Sequence, residues 1–232
     1  MLLSEGIWIL PLRERLKGTE QLLNSLSGTD SSARIVAILD SDDPDYYALK
    51  EICEAFGVEL IPSRPRAPTA QKINDVVRSN PSEGFYGLLA NDIEVRTPAT
   101  LTALAAACPS MGLSYCDDSI HGQSLPTHPC VSGDLVRLLG WWAFPDAGHN
   151  GIDIYLQEVA NAGGGCKYLS EYLMYHNHPS EKRCAPDAVT ERIKLWAERD
   201  RNACNNWSMK GVREMTCRKV RNEMDRLYVE QH

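Results

Sequence analysis

Three short stretches carry side chains whose types and spacing could do chemistry. In Leu88-Leu-Ala-Asn91-Asp92-Ile-Glu-Val-Arg-Thr-Pro98 a hydrophobic run leads straight into an amide and a carboxylate, with a proline soon after. A carboxylate at the carboxyl end of a strand can hold a divalent cation against a diphosphate. An Asx turn before a helix uses the same residues, and spacing alone leaves both readings open. In Tyr175-His176-Asn-His178-Pro179 two imidazoles stand two residues apart. On extended backbone they face opposite ways, so they do not easily ligate one ion together; one can be a ligand and the other a packing or acceptor group. Cys166 and Cys184 lie near in sequence, but without the spacing of a zinc site. In Gly148-His-Asn-Gly-Ile-Asp153-Ile an acid stands at the start of an apolar helix, where the helix dipole alone would favour it. No G-x-x-x-x-G-K-[ST] occurs, and no G-x-G-x-x-G follows the first strand. Gly163-Gly-Gly165 follows a helix rather than preceding one, so it is a poor phosphate cradle.

The elements that must position these groups alternate regularly in the first half. Apolar runs at Ile7–Leu10, Arg34–Leu39, Val58–Ile61, Phe85–Ala90 and Met111–Tyr115 predict strands. Between them Thr19–Leu26, Pro44–Phe56, Thr69–Arg78 and Pro98–Ala107 predict helices, the first two closed by Gly28 and Gly57. Strands alternating with short helices imply βαβ units and a mostly parallel sheet covered on both faces. Ligands of such sheets sit beyond the carboxyl ends of the strands, where Asp40, Asp42, Asp43, Asn91 and Asp92 fall. The second half is less regular. Ser132–Leu139 and Ile152–Ala162 predict helices, Gly140–Asn150 a loop rich in Trp, Pro and Gly, and Lys167–Leu169 and Tyr172–Tyr175 short strands. Ala185–Ala203 and Met209–Tyr228 predict terminal helices. In the last, Val212, Thr216, Val220, Met224 and Leu227 form a stripe that reads as core-facing.

Composition bounds the answer. The chain has 232 residues, 43% hydrophobic and 24% charged, with a net charge of −7. That length suits one α/β domain with a full core. No apolar run is long enough for a membrane span. The first residues have neither a basic region nor an apolar segment adequate for an export signal. Eight cysteines without a C-x-x-C pair read as buried free thiols of a reducing, cytoplasmic compartment. The charge is uneven: residues 181–232 are net basic and the remainder is strongly acidic. An acidic body argues against general nucleic-acid binding and suits a divalent metal.

Taken together, these segments resemble GT-A glycosyltransferases related to family 2, and most of all the short glycosyltransferase-like proteins of tailed bacteriophages. Trp8-Ile-Leu-Pro-Leu-Arg-Glu-Arg15 resembles the opening strand with its arginine-bearing loop. Leu39-Asp-Ser-Asp-Asp-Pro-Asp45 resembles the acidic loop after the second strand, and Gly87-Leu-Leu-Ala-Asn-Asp92 the metal-binding "DxD" region. Leu125-Pro-Thr-His-Pro-Cys-Val-Ser-Gly-Asp134 resembles the acceptor-side segment. Gly151-Ile-Asp153 resembles the start of the helix bearing the catalytic acid or base, and Tyr175–Lys182 the closing histidine motif.

The resemblance implies a single GT-A (Rossmann-like) domain: a nucleotide-binding half over 1–116, an acceptor half over 117–183 and C-terminal helices over 184–232. It implies that Asp40, with Arg13 and the neighbouring Asp42, holds the base and ribose of a nucleotide-sugar donor of UDP type. Asp92 would bind a metal, with His178 or His176 as a further ligand. Asp153 would be the general base, and Thr127 and His128 would lie on the acceptor side. Lys72 and Arg66 enter as phosphate-neutralising cations on their charge alone. A carboxylate, imidazole and phosphate shell suits Mn²⁺ better than Mg²⁺. The family often carries two acids where this chain has Asn91-Asp92; an amide at 91 offers an oxygen but no charge. The phage likeness suggests a hydroxylated base in viral DNA as acceptor, for which Trp141 and Trp142 could give a stacking wall, although buried core positions suit tryptophan as well. The alternatives are a nucleotide-sugar-binding protein without catalysis and a nucleotidyltransferase of similar topology.

Overall fold

The computed structural model describes residues 5–28, 30–181, 183–185, 187–209 and 211–231. Met1–Ser4, Pro186 within the first terminal helix expected above, and Lys182 at the end of the histidine motif lie outside them.

The strands are β1 (Ile7–Leu12), β2 (Ile35–Asp40), β3 (Glu59–Ser63), β4 (Phe85–Leu88), β5 (Ile93–Val95), β6 (Leu113–Asp117), β7 (Cys130–Ser132) and β8 (Cys166–His176). The helices are α1 (Leu16–Ser27), α2 (Tyr46–Ala55), α3 (Thr69–Ser79), α4 (Thr100–Ala107), α5 (Gly133–Leu139), α6 (Ile152–Asn161), α7 (Ala188–Ile193), α8 (Ala197–Met209) and α9 (Val212–Gln231). One sheet runs in the order β3-β2-β1-β4-β7-β6-β8-β5. Its first four strands are parallel, as the regular alternation implies. Beyond β4 the sheet is mixed, because β7 runs antiparallel to both β4 and β6, and β5 antiparallel to β8. The fold class is the expected α/β one.

Both faces are buried, and the pleat divides the core in two. Ile7, Ile9, Val36, Ile38 and Tyr86 meet α3, α5 and α6 on one face. Trp8, Leu10, Ala37 and Leu39 meet α1, α2 and α4 on the other. Gly87 leaves the space that the Trp8 indole fills, since a Cβ there would collide with the ring. The first core also takes Ala203 and Trp207 of α8 and Cys217 and Val220 of α9. Val212, Met224 and Leu227 pack against it, so the terminal stripe does face the core.

Several elements differ from the sequence expectation: β7 is not among the expected strands, and in place of one helix over Ala185–Ala203 the chain forms α7, a single tight turn over Lys194–Trp196 and α8, which runs on to Met209. The two short strands expected over 167–175 are one strand, β8, with a register irregularity beside Cys116 and Asp117. Its far end recruits Ile93–Val95 as β5, a strand too short to announce itself in sequence. That pairing sets Ile93 opposite His176.

Candidate metal and nucleotide site

A cleft of about 530 Å³ lies at the carboxyl ends of β1, β2 and β4. Arg13, Asp40 and Asp92 line it from those ends, with His128 from the entry to β7, Asp153 from the start of α6 and His176 from the end of β8. Val189, Thr190, Ile193, Leu195 and Trp196 of the C-terminal segment line a further wall.

The register of β5 on β8 explains the central cluster. With Ile93 opposite His176, Asp92 falls beside the imidazole although 84 positions separate them in sequence; Nε2 stands 3.6 Å from the carboxylate. The backbone closes the same corner, as Asn177 N–H donates to the Asp92 carbonyl at 2.8 Å. The antiparallel pairing of β4 with β7 delivers His128, because Leu88 N–H donates to the carbonyl of Pro129 next door. Asp92, His128 and His176 thus each offer one ligand atom within 4.8 Å of the others. Of the two histidines in the closing motif, His176 joins this cluster. His178 lies past the end of β8, its ring 5.1 Å from that of His176, and lines the cleft. The third member, His128, is the residue expected on the acceptor side.

Arg15 is the main counter-charge. Its guanidinium donates to Asp92 at 2.6 Å and, with its other nitrogens, to Asp187 at 2.6 and 3.2 Å. It sits with Glu14 in left-handed backbone, at φ 56° and 52°, a conformation that costs non-glycine residues energy and concentrates at working sites. Asp43 holds the loop by accepting from Glu14 N–H at 2.8 Å, and Asn91 Nδ2 donates to the Glu14 carbonyl at 3.3 Å. Burial opposes the ionised form of Asp92, but His176 and Arg15 outweigh it and hold the carboxyl well below its usual range. Burial likewise pulls His176 down, yet Asp118 and Asp92 raise it to about 9. Burial pushes His128 down to about 3, with His176 adding to the effect.

Asp118 was not singled out in the sequence, where it reads as part of an acidic turn. It is buried and accepts from the backbone N–H groups of Ile120, His121 and Gly122 at 2.6–3.2 Å. It also binds His121 Nδ1 at 2.9 Å and Thr127 Oγ1 at 3.2 Å, and lies 3.9 Å from His176 Nδ1. Thr127 therefore faces Asp118 as well as the cleft.

At the β1–β2 end the charges are largely spent on one another. Asp40 is almost fully buried between Lys72 Nζ at 2.8 Å and Arg13 at 2.9 Å. Lys72 also donates to the Leu12 carbonyl at 3.0 Å and is itself buried. Its ammonium therefore seals the strand ends, at a place where the residue also lines the cleft. Asp42 takes Arg13 at 2.7 Å and Arg66 at 3.2 Å. It stands behind those arginines, outside the residues that line the cleft, while exposed Arg66 does line it.

Asp153 opens α6 after Gly151, whose φ of +80° lets the chain turn into the helix. Burial raises its pKa, and its carboxylate accepts from Ile154 N–H at 2.9 Å. His149 also lines the cleft, its Nδ1 2.8 Å from Thr69 Oγ1. Trp141 and Trp142 take the core alternative. Trp142 is fully buried with its indole N–H on the Tyr86 carbonyl, at a place where it also lines the floor of the cleft. Trp141 packs edge-on against Phe144 and Trp207, away from the cleft lining.

The sequence matches no family model and no curated protein. The architecture does match solved structures. The mannosyltransferase PcManGT from Pyrobaculum calidifontis, in complex with GDP-Man and Mn²⁺, superposes with a TM-score of 0.60 at 12% identity, over 93% of this chain and 73% of that one. GalNAc-T7 with UDP, GalNAc and Mn²⁺ gives 0.57 at 9% identity, over 74% and 43%. A nucleotidyl transferase from Methanothermobacter gives 0.50 at 11% identity, over 86% and 99%. These likenesses establish the fold: a GT-A, Rossmann-like α/β architecture with a C-terminal helical extension. Among the described residues no helix is long and apolar enough to cross a membrane.

Proposed function

We propose that this chain is a metal-assisted glycosyltransferase that moves a sugar from a nucleotide-sugar donor to an acceptor hydroxyl with inversion. The observation that carries the reading is the convergence of Asp92, His128 and His176 inside the cleft. Nδ1 of His128 is buried without a hydrogen-bond partner and is open to a ligand, while His176 turns Nε2 toward Asp92 at 3.6 Å and Nδ1 toward Asp118 at 3.9 Å. One carboxylate and two imidazoles fit a divalent ion such as Mn²⁺ better than Mg²⁺. When bound, such an ion acts as a Lewis acid on the leaving diphosphate.

The chain's own residues divide the remaining work. Arg13, Arg15 and Arg66 line the cleft, each on a carboxylate, and their guanidinium groups suit the diphosphate of a UDP- or GDP-sugar. Asp92 and His176 fix the geometry at the diphosphate. Asp153 takes the proton of the acceptor hydroxyl on its carboxylate, and burial brings its pKa toward the working pH of a general base. A single base on the face opposite the leaving group gives direct displacement and inversion. The hydroxylated base of phage DNA is poorly served as acceptor, since Trp141 stands outside the cleft lining and the chain is acidic. A small hydroxylated acceptor needs neither. We place the protein in a cytoplasm on the strength of its free cysteines.

The likeness to a nucleotidyl transferase supports a second reading. Incubation with a panel of UDP- and GDP-sugars and Mn²⁺ decides between them: nucleoside diphosphate release supports glycosyl transfer, and pyrophosphate release the alternative. Asp92→Asn should abolish Mn²⁺-dependent binding of UDP and GDP in calorimetry while the protein stays folded. Unchanged affinity in that variant removes the proposed metal site.

A further inference from the structure

The loop that leads into Asp153 is held by a residue far along the chain. Residues 145–151 form no helix or strand, and their backbone groups are not paired in a ladder. The inward-facing part of this loop, at Ala147 and Gly148, must find partners for its N–H groups elsewhere. From Gly148 onward one carboxylate supplies them. Asp200, in the first turn of α8 and only 9% exposed, accepts from Gly148 N–H at 2.7 Å, His149 N–H at 3.0 Å and Asn150 N–H at 3.1 Å. It also accepts from Asn150 Nδ2 at 3.0 Å. Three successive amides on one carboxylate form an anion nest filled from within the chain. Its neighbour Arg199 treats the other side of the loop, donating to the carbonyls of Pro145, Asp146 and Ala147 at 2.9–3.2 Å. Gly148 is obligatory, since a Cβ there would press on Trp196 and the Asp200 carboxylate.

An acid in the first turn of a helix needs no more than the helix dipole to explain it. That account predicts an exposed side chain turned to its own helix. Asp200 instead spends both oxygens on another segment. The clamped residues end immediately before Gly151, the left-handed hinge from which α6 starts. What Asp200 fixes is therefore the direction in which Asp153 leaves the hinge and the place of His149 against Thr69.

We propose that Asp200 is a positioning residue for Asp153, which makes the C-terminal helices a working part of the site. This rests on the reading of Asp153 as the base.

The test uses the full chain with Asp200→Ala, and with the near-isosteric Asp200→Asn in case the first does not fold. Hydrogen exchange at residues 148–150 should quicken by about tenfold or more, from loss of charge-assisted bonds. In the same samples, ¹³C NMR should show the Asp153 carboxyl titrating lower, toward an ordinary aspartate, as the loop loosens and water reaches it. His121 and Asp118, the charged groups acting on Asp153, are untouched by either variant. A folded variant in which Asp153 titrates as in the wild type overturns the proposal, even where exchange quickens, because Asp200 is then a brace for the loop alone. Failure of the base reading shows separately, as unimpaired turnover in Asp153→Asn.

Discussion

Replacing Lys72 by methionine separates a structural ammonium from one that serves the donor. Lys72 and Asp40 are 5% and 1% exposed at their side chains and stand 2.8 Å apart. Removing one partner of such a pair strands the other charge in the core, at a cost of about 3–5 kcal/mol. Arg13 remains on Asp40 at 2.9 Å and compensates part of the loss. Methionine nearly preserves the volume, so no cavity adds to the cost. The expected destabilisation is therefore near the lower end, about 3 kcal/mol. For a chain of this length each kcal/mol moves Tm by roughly 2–4 °C, so Tm should fall by about 6–12 °C in a thermal melt. Adding Asp40→Asn to Lys72→Met should recover part of that fall, because the stranded charge goes with it. A role in neutralising donor phosphate predicts another pattern: an unchanged or higher Tm and weaker binding of UDP or GDP. Unchanged Tm in Lys72→Met would refute the assignment of this lysine to the fold.

Two further substitutions address the reaction. Asn91→Asp removes the amide that donates to the Glu14 carbonyl; without metal, stability should fall by about 1–3 kcal/mol, and Mn²⁺ should narrow the gap by binding the added carboxylate more tightly. Denaturant curves that coincide for variant and wild type without metal would remove that bond from the account. Asp153→Asn should lower kcat by about two to four orders of magnitude with little change in Tm. The wild-type rate should fall with decreasing pH through a pKa above the ordinary aspartate value, because burial raises it and the base must be ionised; a plateau down to the usual carboxylate range counts against this role.

What was legible in the sequence follows from what is local. The strands β1 to β4 and the helices between them show as apolar runs and helical periodicity within single windows, and Asp92, Asp153 and His176 stand at motif positions. The partners of those residues come from pairings that no window contains. β5 is three residues long, and it exists because β8 extends far enough to receive it. His128 reaches the cluster through the antiparallel strand β7, at the point where the parallel pattern stops. Arg15, Asp118 and Asp200 look like ordinary surface charges until the fold closes around them. Lys72 carries a second signal: it stands four residues before Val76, on the buried side of α3, so helical spacing points to its burial, while the residue also lines the cleft.

The departure at position 91 becomes intelligible through Arg15. The half-buried carboxylate of Asp92 needs compensation, and Arg15 and His176 provide it. The loop after β1 that brings Arg15 to Asp92 holds two residues in left-handed backbone. That strain persists only if the surroundings fix the loop, and Asn91 is one of the groups that fix it, through the Glu14 carbonyl. An aspartate at 91 would face that carbonyl without a proton to donate and would bring a second buried negative charge beside Asp92. The same amide that lowers the charge available to a metal therefore braces the loop of the cation that keeps Asp92 ionised. Under the proposed function, the single acid at Asp92 is an adaptation of the site to its arginine, and Asn91→Asp tests both halves of that statement in one variant.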